Sequence, residues 1–555
     1  MPGGKGDLPV WIRVRDLRGI QAADTSRCRT APRFNLSRYR TMRRSLFPYL
    51  LPLFLLLHAC GPTPAPDAVA PSEAVDQAML AEVAAERITA QVMAQHIGFL
   101  ASDEMRGRDT PSPELEEAAD YLVSHFESVG VAPAGDDGSY VQRWPYERLI
   151  LAEGESHAYM EAGGDRWDWA YAYDYFGIPG PPGPVEGAPV YAGSPAVAAA
   201  GLPSETAGSP LVVGLPDGLG PEFGMAIQAG MQAGAAGMVF LMDEETDASA
   251  TFQLAAALEG GAAGQMPFPI IGLRHEVGTE LLERIGADPG AGATQAQVLE
   301  DVVISFRSTF GSQVEDVPNV VAQIRGSDPE LADEYVVLTA HFDHVGVGPP
   351  DEQGDSIYSG ADDNASGTSA LMQVAEAFAA LPEAPARSVL FLAVSGEEKG
   401  LLGSAYFAGN PTIPQESMVA NLNMDMVSRN APDTIYAVGE EYSSLGELAR
   451  QVAADHPELG LVVAPDPEPE EQAFLRSDHY SFVEIGIPSL MLTTWLHDDY
   501  HLPSDRPELS DADKAARVAQ FTFLMAHRLA TERPLPDWNE EGRQLLQELG
   551  VTPRR

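Results

Sequence analysis

The chain has 555 residues with 34 Lys plus Arg against 81 Asp plus Glu, and 34 − 81 gives a net charge of −47. That length suits about two to four domains, and the acid excess excludes nucleic acid as a partner, because a polyanion is repelled from such a surface. A hydrophobic content of 45% excludes wholesale disorder, and two cysteines, Cys28 and Cys60, exclude a thiolate zinc site, so any metal must be held by His and carboxylates.

Residues 1–44 hold 11 Lys or Arg and 3 Asp, and Leu46–Leu57 is an apolar run of 12 residues interrupted by Pro48 and Pro52. A basic start, an apolar run too short to span a bilayer and a small-residue ending make the three parts of a secretory signal. The plainer reading, a buried helix, has to accommodate both prolines. Leu57-His58-Ala59-Cys60 resembles a bacterial lipobox. The resemblance implies that Cys60 is lipidated and tethers an exported protein to the cell envelope, on the periplasmic side of the outer membrane, unless the protein is secreted. Met42 is the expected translation start, residues 1–59 the leader, and 60–85, rich in Pro and Ala, the linker.

From residue 86 a globular body is expected. Ile88, Val92, Met93, Ile97 and Leu100 recur at helical spacing, as do Leu115, Ala118, Ala119, Leu122 and Phe126 before Gly130. The charged stretch Ala101–Arg108 between them reads plainly as a solvated connection. Residues 166–300 shift to Gly, Ala and Pro, and mark a small separate domain inserted between a first part of the body, 86–165, and its main part, 301–535. Residues 536–555 are read as a C-terminal tail. Within the main part, apolar runs at 336–340, 388–394, 418–424 and 489–493 alternate with helical patterns at 366–381, 446–456 and 511–531. Alternation of this kind predicts an α/β fold, a mostly parallel mixed sheet sandwiched by helices, whose chemistry gathers beyond the C-terminal strand ends.

Polar clusters stand at those ends. His341-Phe-Asp343-His344 follows the first run, Ser395-Gly-Glu397-Glu398 the second and Asp425 the third; Gly360-Ala-Asp362-Asp363-Asn364-Ala-Ser-Gly367 heads a helix, and Asp499-Tyr500-His501 with Asp505 follows the last run. A histidine after a strand is ordinarily just hydrogen-bonded, and acidic pairs abound in so acidic a chain. Five clusters at corresponding places are harder to dismiss, and their oxygen and nitrogen donors suit Zn, Mn or Co.

The order His341, Asp363, Glu397-Glu398, Asp425, His501, in these contexts, resembles the family of two-zinc aminopeptidases that includes secreted bacterial leucyl aminopeptidases and glutamate carboxypeptidases. Leu100–Arg108 resembles the family's N-terminal segment, and Ala233–Phe240 its inserted, β-rich protease-associated domain. The resemblance implies a metal-dependent exopeptidase, most simply an aminopeptidase acting on peptides through a water shared by two Zn2+, with Co2+ or Mn2+ as substitutes. It makes Asp363 the bridging carboxylate, His341 and Asp425 ligands of one ion, Glu398 and His501 ligands of the other, Glu397 the general base and Tyr500 the donor to the oxyanion. It also implies a cis Asp363–Asn364 peptide. Asp343, two residues past His341, is placed to accept the second imidazole N–H, or is simply a loop carboxylate. His344, His479 and His497 are read as structural or surface residues. A carboxypeptidase of the same scaffold would need arginines for substrate carboxylates, for which Arg429 and Arg476 are available. A glutaminyl cyclase commonly binds one metal, and a receptor-like relative loses ligands; the full set here weighs against both.

Overall fold

The computed structural model describes residues 71–553, apart from 172, 179, 182, 216–220, 243–265, 288–294 and 352. The expected leader, Cys60 and the first part of the expected linker lie outside the described residues. Within the expected linker, Pro71–Ala85 form a helix whose Ala81, Ala84 and Ala85 are buried, because alanine at this spacing gives it an apolar stripe. No helix of the described residues is long and apolar enough to cross a membrane.

The body is built on a nine-stranded mixed sheet. At its centre four neighbouring strands run parallel in the order Ser388–Val394, Tyr335–His341, Met418–Met424, Ser489–Thr493. Every residue of these four strands is buried, the sign of a sheet covered on both faces. Phe310–Ile324 adds antiparallel on one side and Thr434–Val438 on the other. The helices Ala90–Leu100, Pro113–Val129, Gly367–Ala379 and Ala512–Thr531 share one continuous core with the sheet. Thr89 and Ser112 cap the first two of these by accepting the Val92 and Leu115 amides.

The second body is carried between two arms of a ribbon. Val141–Leu151 pairs antiparallel with Phe310–Ile324 over eleven residues, and the chain between the arms folds into a six-stranded and a four-stranded sheet built from residues 157–307. These sheets have apolar cores of their own, around Phe240 and Ile270 and around Ile304 and Phe306. The inserted body is wider at both ends than the expected 166–300, because its outer strands His157–Ala162 and Val302–Arg307 pair with each other.

The C-terminal stretch is no free tail. Trp538 is buried and donates its indole N–H to the Gly486 carbonyl at 3.0 Å, and the helix Glu540–Glu548 buries Leu546 in a cluster with Phe474 and Tyr480.

Candidate functional site

The four parallel strands end side by side, so His341, the turn Ser395–Glu398, Asp425 and the loop after Thr493 converge. Asp363 arrives from the turn heading Gly367–Ala379. That turn requires Gly360: at φ +57 a Cβ there would lie 2.1 Å from the Asp363 carbonyl oxygen. Asn364 pins it to the third strand, donating to the Met424 carbonyl at 2.9 Å and accepting from the Gly367 and Met426 amides. The Asp363–Asn364 peptide is cis.

The donors fall into two groups, His341, Glu397, Asp425 and His344, Asp363, Glu398, His501, with the ligand atoms of each within 4.8 Å of one another. The Asp363 carboxylate reaches both: Oδ1 lies 3.3 Å from His341 Nε2 and Oδ2 lies 3.1 Å from His501 Nε2. On the first side Asp425 Oδ1 is 3.3 Å from His341 Nε2, while Asp425 Oδ2 accepts from Ser477 Oγ at 2.6 Å. On the second, Glu398 gives one oxygen to each imidazole, 2.7 Å from His344 Nδ1 and 3.1 Å from His501 Nε2.

These residues fit a pair of metal ions. His501 Nε2 is buried between Asp363 and Glu398 and makes no hydrogen bond among the described residues. Such an orphan is costly unless a cation takes its lone pair. Nitrogen and oxygen donors alone, in two groups sharing one carboxylate, suit borderline divalent ions.

The electrostatics divide two adjacent glutamates. Burial pushes Glu397 well above the ordinary carboxylate value, with Glu398, Asp478 and Asp425 adding to it and His341 opposing. Against the same burial, His501 and His344 hold Glu398 down at about 2. Asp363 is likewise held well below its ordinary value by His341 and His501, which outweigh burial. Two adjacent carboxylates thus sit in divergent environments. The half-buried Tyr500 stacks its ring on His501 with centroids 3.9 Å apart, and burial together with Asp363 and Glu398 keeps its hydroxyl protonated, well above the usual value.

The structure thus brings His341, Asp363, Glu397, Glu398, Asp425, Tyr500 and His501 together. Asp343 is fully buried, but its carbonyl, 3.3 Å from His341 Nδ1, is nearer than its carboxylate at 3.7 Å, a length beyond a normal hydrogen bond. The carboxylate instead accepts from the Thr110 hydroxyl and the Glu397 amide. His344 lies inside the second donor group rather than at the surface. His497 sits 3.3 Å from Asp362, and His479 packs on Phe474, driven by burial to a pKa of about 3.

Three further residues support the donors, in roles that no sequence pattern assigned. Asp505 accepts the backbone N–H groups of Asp362 and Asp363 at 3.0–3.1 Å and so holds the bridging residue by its main chain. Ser477 orients Asp425. Arg108, in the stretch read either as a solvated connection or as the family's N-terminal segment, is fully buried and donates to the carbonyls of Leu100, Phe342, Ser359 and Gly360. Only the context of Asp505, four residues after His501, carried any signal.

Residues 319–526 match the model of peptidase family M28. The chain carries a peptidase M28 domain. Over 329 residues it is 27% identical to a probable zinc metalloprotease of Pyricularia oryzae, covering 47% of this chain and 62% of that protein. Over 322 residues it is 26% identical to a glutamate carboxypeptidase 2 homolog of Caenorhabditis elegans, covering 49% of this chain and 40% of the relative. The chain thus spans about half the length of these curated relatives. Among solved structures, an aminopeptidase from Aneurinibacillus sp. strain AM-1 aligns over 81% of this chain and 96% of its own with a TM-score of 0.52 at 18% identity, a likeness of fold. The M28 domain holds every donor named above, while Arg108 and Thr110 lie before it.

Proposed function

We propose that the protein is a zinc-dependent exopeptidase that removes N-terminal residues from peptides. The observation that carries this is the Asp363 carboxylate, whose two oxygens are divided between two groups of buried donors, one of which includes Glu397. The relative named a zinc metalloprotease supports the choice of metal. His341, Asp425 and Asp363 would hold one ion, and Glu398, His501 and Asp363 the other. Ions held there supply Lewis-acid polarisation of a peptide carbonyl and a lowered pKa for water. Glu397 takes the proton of the attacking water and passes it to the leaving amine, and Tyr500 donates to the oxyanion that forms on the carbonyl.

The relative named a glutamate carboxypeptidase homolog gives the second reading, release of C-terminal residues. Against it stands Arg429, which is already engaged by Asp499 and lies 3.7 Å from Asp505. Assay of free-amine, N-blocked and C-terminal peptide substrates, with and without chelator, decides between them. Cleavage of free-amine substrates alone, lost with chelator and restored by zinc, is the expected result. Preference for N-blocked peptides would give the second reading, and chelator-insensitive cleavage would remove both. The leader extends the proposal to an envelope lipoprotein anchored through Cys60; loss of lipid labelling in Cys60→Ser is the check.

A further inference from the structure

We propose that Thr110 is a positioning residue for Glu397, acting through Asp343. Thr110 lies between the helices Ala90–Leu100 and Pro113–Val129 and is fully buried. A threonine hydroxyl has one hydrogen and two lone pairs. Here the hydrogen goes to Asp343 Oδ2 at 3.0 Å, and a lone pair takes the Gly396 N–H at 3.1 Å. The other Asp343 oxygen takes the next amide, that of Glu397, at 3.3 Å. One hydroxyl and the carboxylate it orients therefore fix two successive amides, and with them the direction in which the Glu397 side chain leaves the backbone. From the other side Trp144 closes the turn: Gly396 has φ +70, and a Cβ there would meet the indole at 3.0 Å. One residue earlier, Asp109 pairs with Lys399 at 2.9 Å, so two contacts fasten 109–110 to 396–399.

Because its only hydrogen is committed to Asp343, Thr110 donates to nothing else and acts on no substrate atom. Without it, Asp343 would keep a buried charge with one long amide bond and freedom to turn toward His341 Nδ1, now 3.7 Å away. Glu397 would lose its fixed bearing while the metal donors kept theirs.

The inference rests on the reading of Glu397 as the base, and the test separates the two. Thr110→Ser, Thr110→Cys, Thr110→Val, Glu397→Gln and the Thr110→Val/Glu397→Gln pair are compared with the unaltered chain for kcat and KM on a free-amine aminoacyl-anilide, bound zinc per chain and Tm. The expected order of kcat is Thr, Ser, Cys, Val, following donor strength, with about a ten- to hundredfold loss at Val and with KM and bound zinc unchanged. In the Glu397→Gln background Thr110→Val should cost nothing more, since there is no base left to aim. Equal losses in Ser and Val, a loss that follows Tm, KM or zinc content, or an undiminished cost in the Glu397→Gln background would each overturn the role of Thr110. A slow Glu397→Gln with a normal Thr110→Val also sinks the Thr110 inference and leaves the base reading standing. A normal rate in Glu397→Gln removes the base reading and Thr110 with it.

Discussion

Two stretches of chain meet at the site and contribute in opposite ways. Residues 341–501 bring every donor atom, each placed at the end of a buried strand or in the loop beside it, and lie within the M28 domain. Leu100–Thr110 bring none, yet Arg108 and Thr110 within them are fully buried and bond to the carbonyls, amides and carboxylate on which the donors are mounted. The first stretch thus supplies all of the chemistry and some of its support, the second support alone. The difference implies that damage to the first stretch should abolish turnover in a folded protein, and damage to the second should reach turnover through the frame.

The largest effect is expected at Glu397. Glu397→Gln keeps the shape and removes the proton acceptor, so kcat should fall by about a thousandfold or more while both ions and the Tm remain. Steady-state kinetics beside a metal assay check this; loss of metal in parallel with rate would mean that Glu397 is mainly a ligand, as its place among His341 and Asp425 allows.

Arg108 should show the opposite pattern. Arg108→Leu takes a donor from the buried carbonyls of Leu100, Phe342 and Ser359 and leaves that of Gly360 only the Ala365 N–H, at a cost of about 4 kcal/mol in unfolding free energy. Denaturant unfolding measures it. An Arg108→Leu protein of normal stability would show that the frame does not depend on this guanidinium.

Asp505 stands between the two, since it lies in the M28 domain but works as a support. Burial lifts its pKa to about 6, and its oxygens take the Asp362 and Asp363 amides. Asp505→Asn exchanges one acceptor oxygen for a donor facing those N–H groups. Zinc affinity, read by competition with a chelating dye, should weaken about ten- to hundredfold. Unchanged affinity would show that the bridging carboxylate does not depend on its main chain.

What could be read in advance follows the same division. The strand ends and their polar clusters were legible because the α/β alternation repeats and each cluster follows an apolar run, so position in the pattern pointed to His341, Glu397, Glu398 and Asp425. The supporting roles of Arg108, Thr110, Ser477 and Asp505 were not, because their partners are backbone groups or side chains as far as 286 residues away, as between Thr110 and Gly396, and no local spacing records such a pairing. The docked C-terminal helix escaped for a related reason: it is mostly polar, and its attachment rests on Trp538 and Leu546 meeting residues near 442–491. The inserted body was visible as a change of composition, but its outer strands, 157–162 and 302–307, lie outside that change and are joined only by pairing.

The smallest effect concerns acid, and it tests whether the support is the weaker partner at low pH. His96, on the helix leading into Leu100–Thr110, is held by burial, with His125 adding, at a pKa of about 4 against 6.5. Its Nδ1 lies 2.7 Å from the Tyr121 hydroxyl, and its Nε2 faces the Gln373 amide nitrogen at 3.4 Å, an arrangement for a neutral ring with a lone pair on Nε2. The folded pKa is lowered, so below 6.5 the unfolded chain binds the proton more readily than the folded one. Stability from this residue is therefore complete above pH 6.5, declines as the pH falls toward 4, and levels off below that, by about 1 kcal/mol for each unit in between. His527, lowered to about 4 by burial and Arg528 on the last long helix, His479, lowered to about 3 by burial, and His125 and His157, also lowered by burial, have the same sign, so His96 must be separated from them by substitution. His96→Gln keeps a polar group between Tyr121 and Gln373 without a titrating ring, and its denaturant midpoint between pH 6.5 and 4 should fall less steeply than that of the unaltered chain. If the slopes agree, the acid sensitivity belongs to the donor-bearing stretch and the N-terminal support is no weaker than the frame it holds.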